Sequence, residues 1–183
     1  MIEGVRVRRA GVGDAAGIAA VHVASWQRAY RGLMPAELLD ALSVPARTQR
    51  WAQNLGSTAA GAATFVAEQD GEVIGFASIG PCRDEDAETA AELWALYLHP
   101  RHWGAGHGHV LHAHAVRALA ATGAADATLW VLTTNQRARR FYERHGWAAD
   151  GATKVVALGD AELAESRYRL PGLAGAAGVT VLP

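Results

Sequence analysis

One cysteine, Cys82, and one lysine, Lys154, are all that the 183 residues hold of those two types. A single cysteine excludes an internal disulfide and fits a reducing compartment. Cys82 reads as a bystander, not a nucleophile. Lys154 follows no glycine run, so a Gly-Lys-Ser/Thr phosphate loop is excluded. Excess charge is missing too. The net charge is −1, and the basic residues are scattered apart from Arg137, Arg139 and Arg140, so no field recruits nucleic acid. No apolar run approaches the ~20 residues of a membrane span. Met1 to Arg9 alternates valine and arginine instead of forming a signal peptide. The expectation is a soluble, cytoplasmic protein with neither nucleic acid nor membrane as partner. At 50% hydrophobic and 19% charged residues the chain is too apolar to be disordered, and its length suits one well-buried domain.

Histidine, by contrast, is plentiful, and four of the eight crowd one helix start: His107, His109, His112 and His114. On a helix His109 and His112 share a face, whereas His107 falls in the preceding loop and His114 points elsewhere. No cysteine or spaced carboxylate completes a shell, so no metal is expected. Partly exposed histidines on an outer helix face are the reading.

In order, Val5 to Arg9 alternates like a strand, and Asp14 stands as an N-cap before a helix running from Ala15 to Tyr30. Shorter helices follow over Ala36 to Leu42 and Pro45 to Leu55. Thr64 to Glu68 and Glu72 to Ile79 are β-rich runs joined by Asp70-Gly71, a strong hairpin signal. Gly80 to Ala90, with five charged residues from Arg83 to Glu88, reads as a solvated loop. A strand over Asp126 to Leu132, a helix over Asn135 to Arg144 and strands beginning at Trp147 and at Ser166 complete the order. Asp150 to Glu165 is poorly periodic; Lys154 to Leu158 suits a strand, and Asp160 to Glu165 a helical turn. Residues 1–170 make one mixed α/β domain. The tail from Pro171 to Pro183 carries no charge.

The stretch the rest is organised around is Glu92 to Gly123. Apolar residues suited to a strand break at Pro100 and pass through Gly104, Gly106 and Gly108. Val110, Leu111, Val116 and Leu119 then follow at helical spacing. A glycine-rich turn from strand into helix exposes unpaired backbone N–H groups at the positive end of the helix dipole, where an anion, most naturally phosphate, binds. A dinucleotide fingerprint fits poorly, because the slot for its third glycine holds His109.

Arg101, two residues, Gly104, one residue, Gly106, placed directly after a strand, resembles the acyl-CoA pyrophosphate loop of the GNAT superfamily of N-acetyltransferases. A second run, Asn135, Ala138, Phe141, Tyr142, Gly146 and Trp147, is similar to the superfamily's Asn-x-x-Ala-x-x-Phe-Tyr-x-x-x-Gly-aromatic pattern. The N-terminal run Ser25-Trp26-Gln27-Arg28-Ala29-Tyr30-Arg31-Gly32-Leu33-Met34-Pro35 resembles a bacterial branch of the same superfamily.

The resemblance implies an α/β fold around a mostly antiparallel sheet of six or seven strands, splayed between the fourth and fifth. It implies acetyl-CoA as cosubstrate and no metal. The amides of Trp103, Gly104, Ala105, Gly106, His107, Gly108 and His109, with Arg101, would hold the pyrophosphate. Main-chain groups of Leu96 and Leu98 would bond the pantetheine amides, and the Leu98 N–H would polarise the thioester carbonyl. Asn135 and Tyr142 would also meet the cofactor.

An alkyl amine with a pKa near ~10.4 is neutral in only about one molecule in 2,500 at pH 7, a deficit of roughly 4.6 kcal/mol, so a base is expected. Glu92 is the first choice, with Glu88 and His99 as alternates. Tyr142, protonated at neutral pH, would donate to the departing sulfur. Trp26 and Tyr30, spaced i and i+4, offer an aromatic wall to the acceptor or pack in the core. The acceptor expected is a small-molecule amine. Alternatives are a protein N-terminus or lysine, or a non-catalytic coenzyme A-binding module. A homodimer through a sheet edge or the apolar tail is compatible with the sequence.

Overall fold

Asp70 and Gly71 both take positive φ, 52° and 82°, which is the type I′ turn that matches the twist of two antiparallel strands. They join β2 (Ala63–Gln69) to β3 (Glu72–Pro81), the pair anticipated from that dipeptide. The computed structural model describes residues 4–57, 60–87, 90–159 and 161–173. Its remaining strands are β1 (Val5–Arg9), β4 (Ala91–Leu98), β5 (Ala127–Leu132), β6 (Ala148–Leu158) and β7 (Ala161–Leu170). The helices are α1 (Ala15–Ala29), α2 (Ala36–Asp40), α3 (Val44–Gly56), α4 (His107–Ala120) and α5 (Gln136–Arg144). The strands lie in one seven-stranded sheet in the order β1-β2-β3-β4-β5-β7-β6. It is mostly antiparallel, with a parallel pair at β4 and β5.

That pair is short. Ala91 faces Ala127 and Glu92 faces Thr128, whereas β5 is paired over all six of its residues with β7. The ladder between the fourth and fifth strands thus stops at their first residues, which is the splay expected from the resemblance.

The fold divides into two compact units, residues 1–78 with 95–115 and residues 79–94 with 116–183. In the first, Ile18, Val21, Val66 and Phe76 form the buried centre, with Trp51, Val73 and Tyr97 packed on it. Gly75 is obligatory there, since a Cβ would come within 2.7 Å of Leu98 Cδ1 and 2.9 Å of the Tyr97 carbonyl oxygen.

In the second unit α5 begins and ends as its sequence dictates. The Asn135 side chain accepts from the Ala138 N–H at 3.1 Å, a standard N-cap. Gly146, at φ 85°, closes the helix: its N–H donates to the Glu143 carbonyl and the Trp147 N–H to the Tyr142 carbonyl. These are the two bonds of a Schellman cap. The Trp147 ring then sits 6.1 Å from the ring of Tyr142, so the Gly-aromatic pair at the helix end fixes the tyrosine.

Three expectations need correction. Ala161 to Glu165 form no helical turn; they belong to β7, paired with Lys154 to Leu158. Most of β6 is exposed on both faces, so neither hydrophobic period was imposed on it. The loop after β3 is not simply solvated: Asp84 and Asp86 bind the buried Arg167 guanidinium. On α4, His107 starts the helix and is buried, as is His112; only His109 keeps to the outer face, while His114 packs against Phe65. His112 lies beside the stripe Leu111, Ala115 and Leu119, which the i+4 spacing turns inward.

Residues 174–183, most of the uncharged tail, and Glu88, one alternate base, lie outside the described residues. The described start of the tail is docked, with Leu173 buried and its N–H donating to the Ala125 carbonyl at 2.9 Å.

Candidate functional site

In the first unit β4 ends at Leu98, and a 3-10 turn over Pro100–His102 leads to the glycine run. The Leu98 carbonyl accepts from Ser25 Oγ at 2.7 Å and from Trp103 Nε1 at 2.8 Å, tying the strand end to α1 and to the loop. The His99 N–H donates across to the Ile74 carbonyl on β3. Strand alternation therefore points the N–H of Leu98, and of Leu96 before it, away from β3.

Gly104 and Gly106 take φ of 84° and 83°. A Cβ on Gly104 would meet nothing within 4 Å, so its requirement is backbone conformation, not space. Among the described residues, the N–H groups of Gly104, Ala105, Gly106, His107 and Gly108 have no hydrogen-bond acceptor. Five open donors at a helix N-terminus, with Ala105 and both positive-φ glycines exposed, form a cradle suited to a diphosphate. Arg101 is exposed, and its backbone N–H and Nε reach His99 Nδ1 at 3.3 and 3.5 Å. Burial, with the cationic Arg101 beside it, pushes the His99 imidazole below its ordinary value.

Trp26 and Tyr30 sit in an aromatic group that the sequence reading caught only in part. Their rings meet edge to face at 5.2 Å, His22 stacks on Tyr97 at 5.4 Å, and the Tyr30 and Tyr97 hydroxyls share a hydrogen bond at 3.1 Å. The signal for His22 was the continued helical spacing His22, Trp26, Tyr30. The Trp51 indole donates to His22 Nδ1 at 3.2 Å, leaving the proton of a neutral imidazole on Nε2. Burial first, and then Arg47 and Arg50, push His22 down to about 4. His22 Nε2 and Trp26 Nε1 are buried with no hydrogen-bond partner among the described residues.

In the second unit, Asn135 and Tyr142 are both buried, one at the start of α5 and the other about two turns on. Glu92 is also buried, with its side chain 1% exposed, and its carboxylate is engaged at both oxygens. It accepts from the Arg83 backbone N–H and Nε, each at 3.1 Å, and from Arg83 Nη2. The carboxylate expected from sequence to act as a base thus holds Arg83 and the start of the loop after β3. Among the described residues, no group of three or more histidine, cysteine, aspartate or glutamate side chains is arranged to hold a metal ion.

Comparison with known proteins matches residues 21–147 to the family model described as the acetyltransferase (GNAT) family. The chain belongs to that family. Both the glycine run and the Asn135-to-Trp147 run of this acetyltransferase fall inside the matched region. It is 34% identical over 133 residues to the uncharacterized N-acetyltransferase YuaI of Bacillus subtilis, spanning 72% of this chain and 73% of that one. Two solved structures share the fold. The PaiA N-acetyltransferase of Thermoplasma acidophilum in complex with coenzyme A superposes with a TM-score of 0.67 at 19% identity, covering 91% of this chain and 98% of that chain. The structure of yncA from Salmonella typhimurium with its cofactor acetyl-CoA gives 0.69 at 18% identity, covering 99% and 98%. No helix of the acetyltransferase, among the described residues, is long and apolar enough to cross a membrane.

Proposed function

We propose that this acetyltransferase moves an acetyl group from acetyl-CoA to the primary amine of a small-molecule acceptor. The observation that carries the reading is the run of open amides from Gly104 to Gly108, entered through two glycines at positive φ. Acetyl-CoA supplies the activated thioester. The five amides, with Arg101, hold the pyrophosphate; Trp103 and His109, whose own N–H groups go to the Pro100 and Gly106 carbonyls, flank it, and the main chain of Leu96 and Leu98 takes the pantetheine amides. The outward N–H of Leu98 donates to the thioester carbonyl oxygen as negative charge grows there.

The acceptor ammonium first gives one proton to solvent; the neutral nitrogen then bonds to the acetyl carbon as the C–S bond breaks, the sulfur leaves with the electron pair, and the nitrogen loses its second proton to solvent or to the departing thiolate as the amide forms. Tyr142 donates a hydrogen bond to that sulfur. Full proton transfer from a tyrosine near pKa ~10 to a thiolate near ~8.5 is uphill by roughly 2 kcal/mol, so hydrogen bonding comes first. Asn135 caps α5 through its side-chain oxygen and has its amide N–H groups left for the cofactor. Trp26 and Tyr30 face the acceptor. The buried Trp26 indole N–H supports that role, because an unsatisfied donor costs free energy that a ligand acceptor would restore.

Thiol release from acetyl-CoA, measured across polyamines, aminoglycosides, amino acids and peptides, tests the reading. Turnover with small amines is expected. Acetylation of peptides alone would shift the acceptor to protein. Tight coenzyme A binding without any turnover would leave a binding module.

A further inference from the structure

His22 and Trp26 stand one turn apart on α1, and Arg47 and Trp51 one turn apart on α3, so each pair shares a helix face. The two faces meet. Trp51 donates to His22 Nδ1 at 3.2 Å, and one turn back along α3 the Arg47 guanidinium carbon stands over the Trp26 ring, 5.5 Å from its centre. Both helices lie in the first unit, with the end of β4 and the glycine run. The group adjoins the end of β4 directly. Ser25, the residue before Trp26, donates to the Leu98 carbonyl at 2.7 Å, and the Trp26 ring is 6.4 Å from the ring of Tyr97, the residue before Leu98. These contacts keep the Arg47 guanidinium within about 12 Å of the Tyr97 ring, a span of roughly three to four residues of extended chain.

Arg47 is half-buried, and its guanidinium N–H groups have no acceptor among the described residues. The other described arginines that are buried or half-buried each hold a partner: Arg8 has Asp14 and Glu68, Arg139 the Tyr168 hydroxyl, Arg167 three aspartates and Arg169 Asp126. Burial lowers the Arg47 pKa from its ordinary value, and Arg50, three residues on, adds to the fall. No acid answers them from the packed helices, since neither α1 nor α3 contains aspartate or glutamate. A cation taken partly out of water without a counter-ion costs free energy that an anionic ligand restores. Contact with the Trp26 ring occupies no N–H acceptor, so the planar fork is left for a bidentate partner.

Neutral donors add to the excess. The Trp26 Nε1–H and the His22 Nε2–H, the latter a donor because Trp51 occupies Nδ1, are buried without an acceptor among the described residues. A carboxylate, acceptor-only and able to take about four hydrogen bonds, matches such surroundings. Resting on the acetyl-transfer reading above, we propose that Arg47, stacked on Trp26, anchors a carboxylate on the acceptor while the acceptor's amine reaches the thioester at Leu98. The acceptor class is therefore primary amines that carry an acid group at the far end of a chain. Arg47 acts as a specificity and positioning residue.

The test uses ω-amino acids from glycine to 8-aminooctanoate and their primary amides as acceptors, for the intact protein and for Arg47→Gln, Arg47→Lys and Arg50→Gln. Acetyl-CoA binding is measured independently by calorimetry. For the intact protein, kcat/KM should favour acid over amide at least tenfold at the chain length that fits. Arg47→Gln should bring acid and amide within threefold, chiefly through KM, with acetyl-CoA affinity changed less than twofold. Arg47→Lys keeps the charge without the fork and should fall between. Arg50→Gln removes an exposed neighbouring charge and should keep most of the preference.

Amides used as well as acids at every length, an acid preference that survives Arg47→Gln, an equal loss in Arg50→Gln, or no acid in the series bound or acetylated would overturn the proposal. The comparison within the intact protein needs no variant to fold. Failure of the intact protein to bind acetyl-CoA would overturn instead the function on which the proposal rests.

Discussion

The buried carboxylate of Glu92 grips Arg83 through its backbone N–H, Nε and Nη2, so the first residues of the parallel β4–β5 pair are bound to the loop that follows β3. Glu92→Gln separates a base from a clamp. A base would give a large loss of kcat together with loss of the acid limb of the pH–rate profile. The clamp gives an acid limb that persists and about 1–3 kcal/mol less stability from weakened charge-assisted bonds. Rates from pH 5.5 to 9 with a denaturation curve distinguish them.

Tyr142→Phe should lower kcat at least tenfold while acetyl-CoA affinity stays nearly unchanged. The ring is fixed by the Schellman cap and by Trp147, neither of which uses the hydroxyl. Unaltered turnover would remove Tyr142 from the chemistry.

Gly106→Val should weaken acetyl-CoA binding more than tenfold, since a branched side chain at φ 83° both strains the loop and fills the cradle. Gly123→Val is the control. It carries the same positive φ of 84° with nothing within 4 Å of its Cβ position, so it bears the strain without touching the cradle. Calorimetry on the two folded variants should show the deficit only at Gly106.

His22 gives a pH dependence of known sign. Its folded-state value of about 4 lies below the ordinary 6.5, so between these values the unfolded chain binds more protons. Stability is complete above about pH 6.5 and falls as pH drops towards 4, by about 3 kcal/mol in all. Urea titrations at pH 4.5 and 7.5 should show this slope, and His22→Phe should flatten it even at lower baseline stability. An equal slope in the variant would assign the acid sensitivity elsewhere.

Much of this was legible in the sequence because local chemistry carried it. Asp70-Gly71 demands positive φ, Asn135 demands a helix start, and Gly146-Trp147 demands a Schellman stop, each without reference to distant residues. The glycine run declared its open amides for the same reason. What stayed hidden depends on partners remote in sequence. The Arg167 guanidinium collects Asp84, Asp86 and Asp150 from 83, 81 and 17 residues away. The β6–β7 hairpin escaped because an edge strand exposed on both faces obeys no hydrophobic period. Glu92 was visible as a carboxylate in the central strand. Its commitment to Arg83 was not, since nothing local forces that loop back onto the strand.

The central claim is that the amides from Gly104 to Gly108 hold the coenzyme's diphosphate. The most direct measurement is a ¹H–¹⁵N titration of the labelled protein with coenzyme A. Large, saturable shifts at these five amides and at Leu98, with Gly123 unmoved, are expected. Saturable binding that leaves those resonances in place while shifting others would contradict the claim.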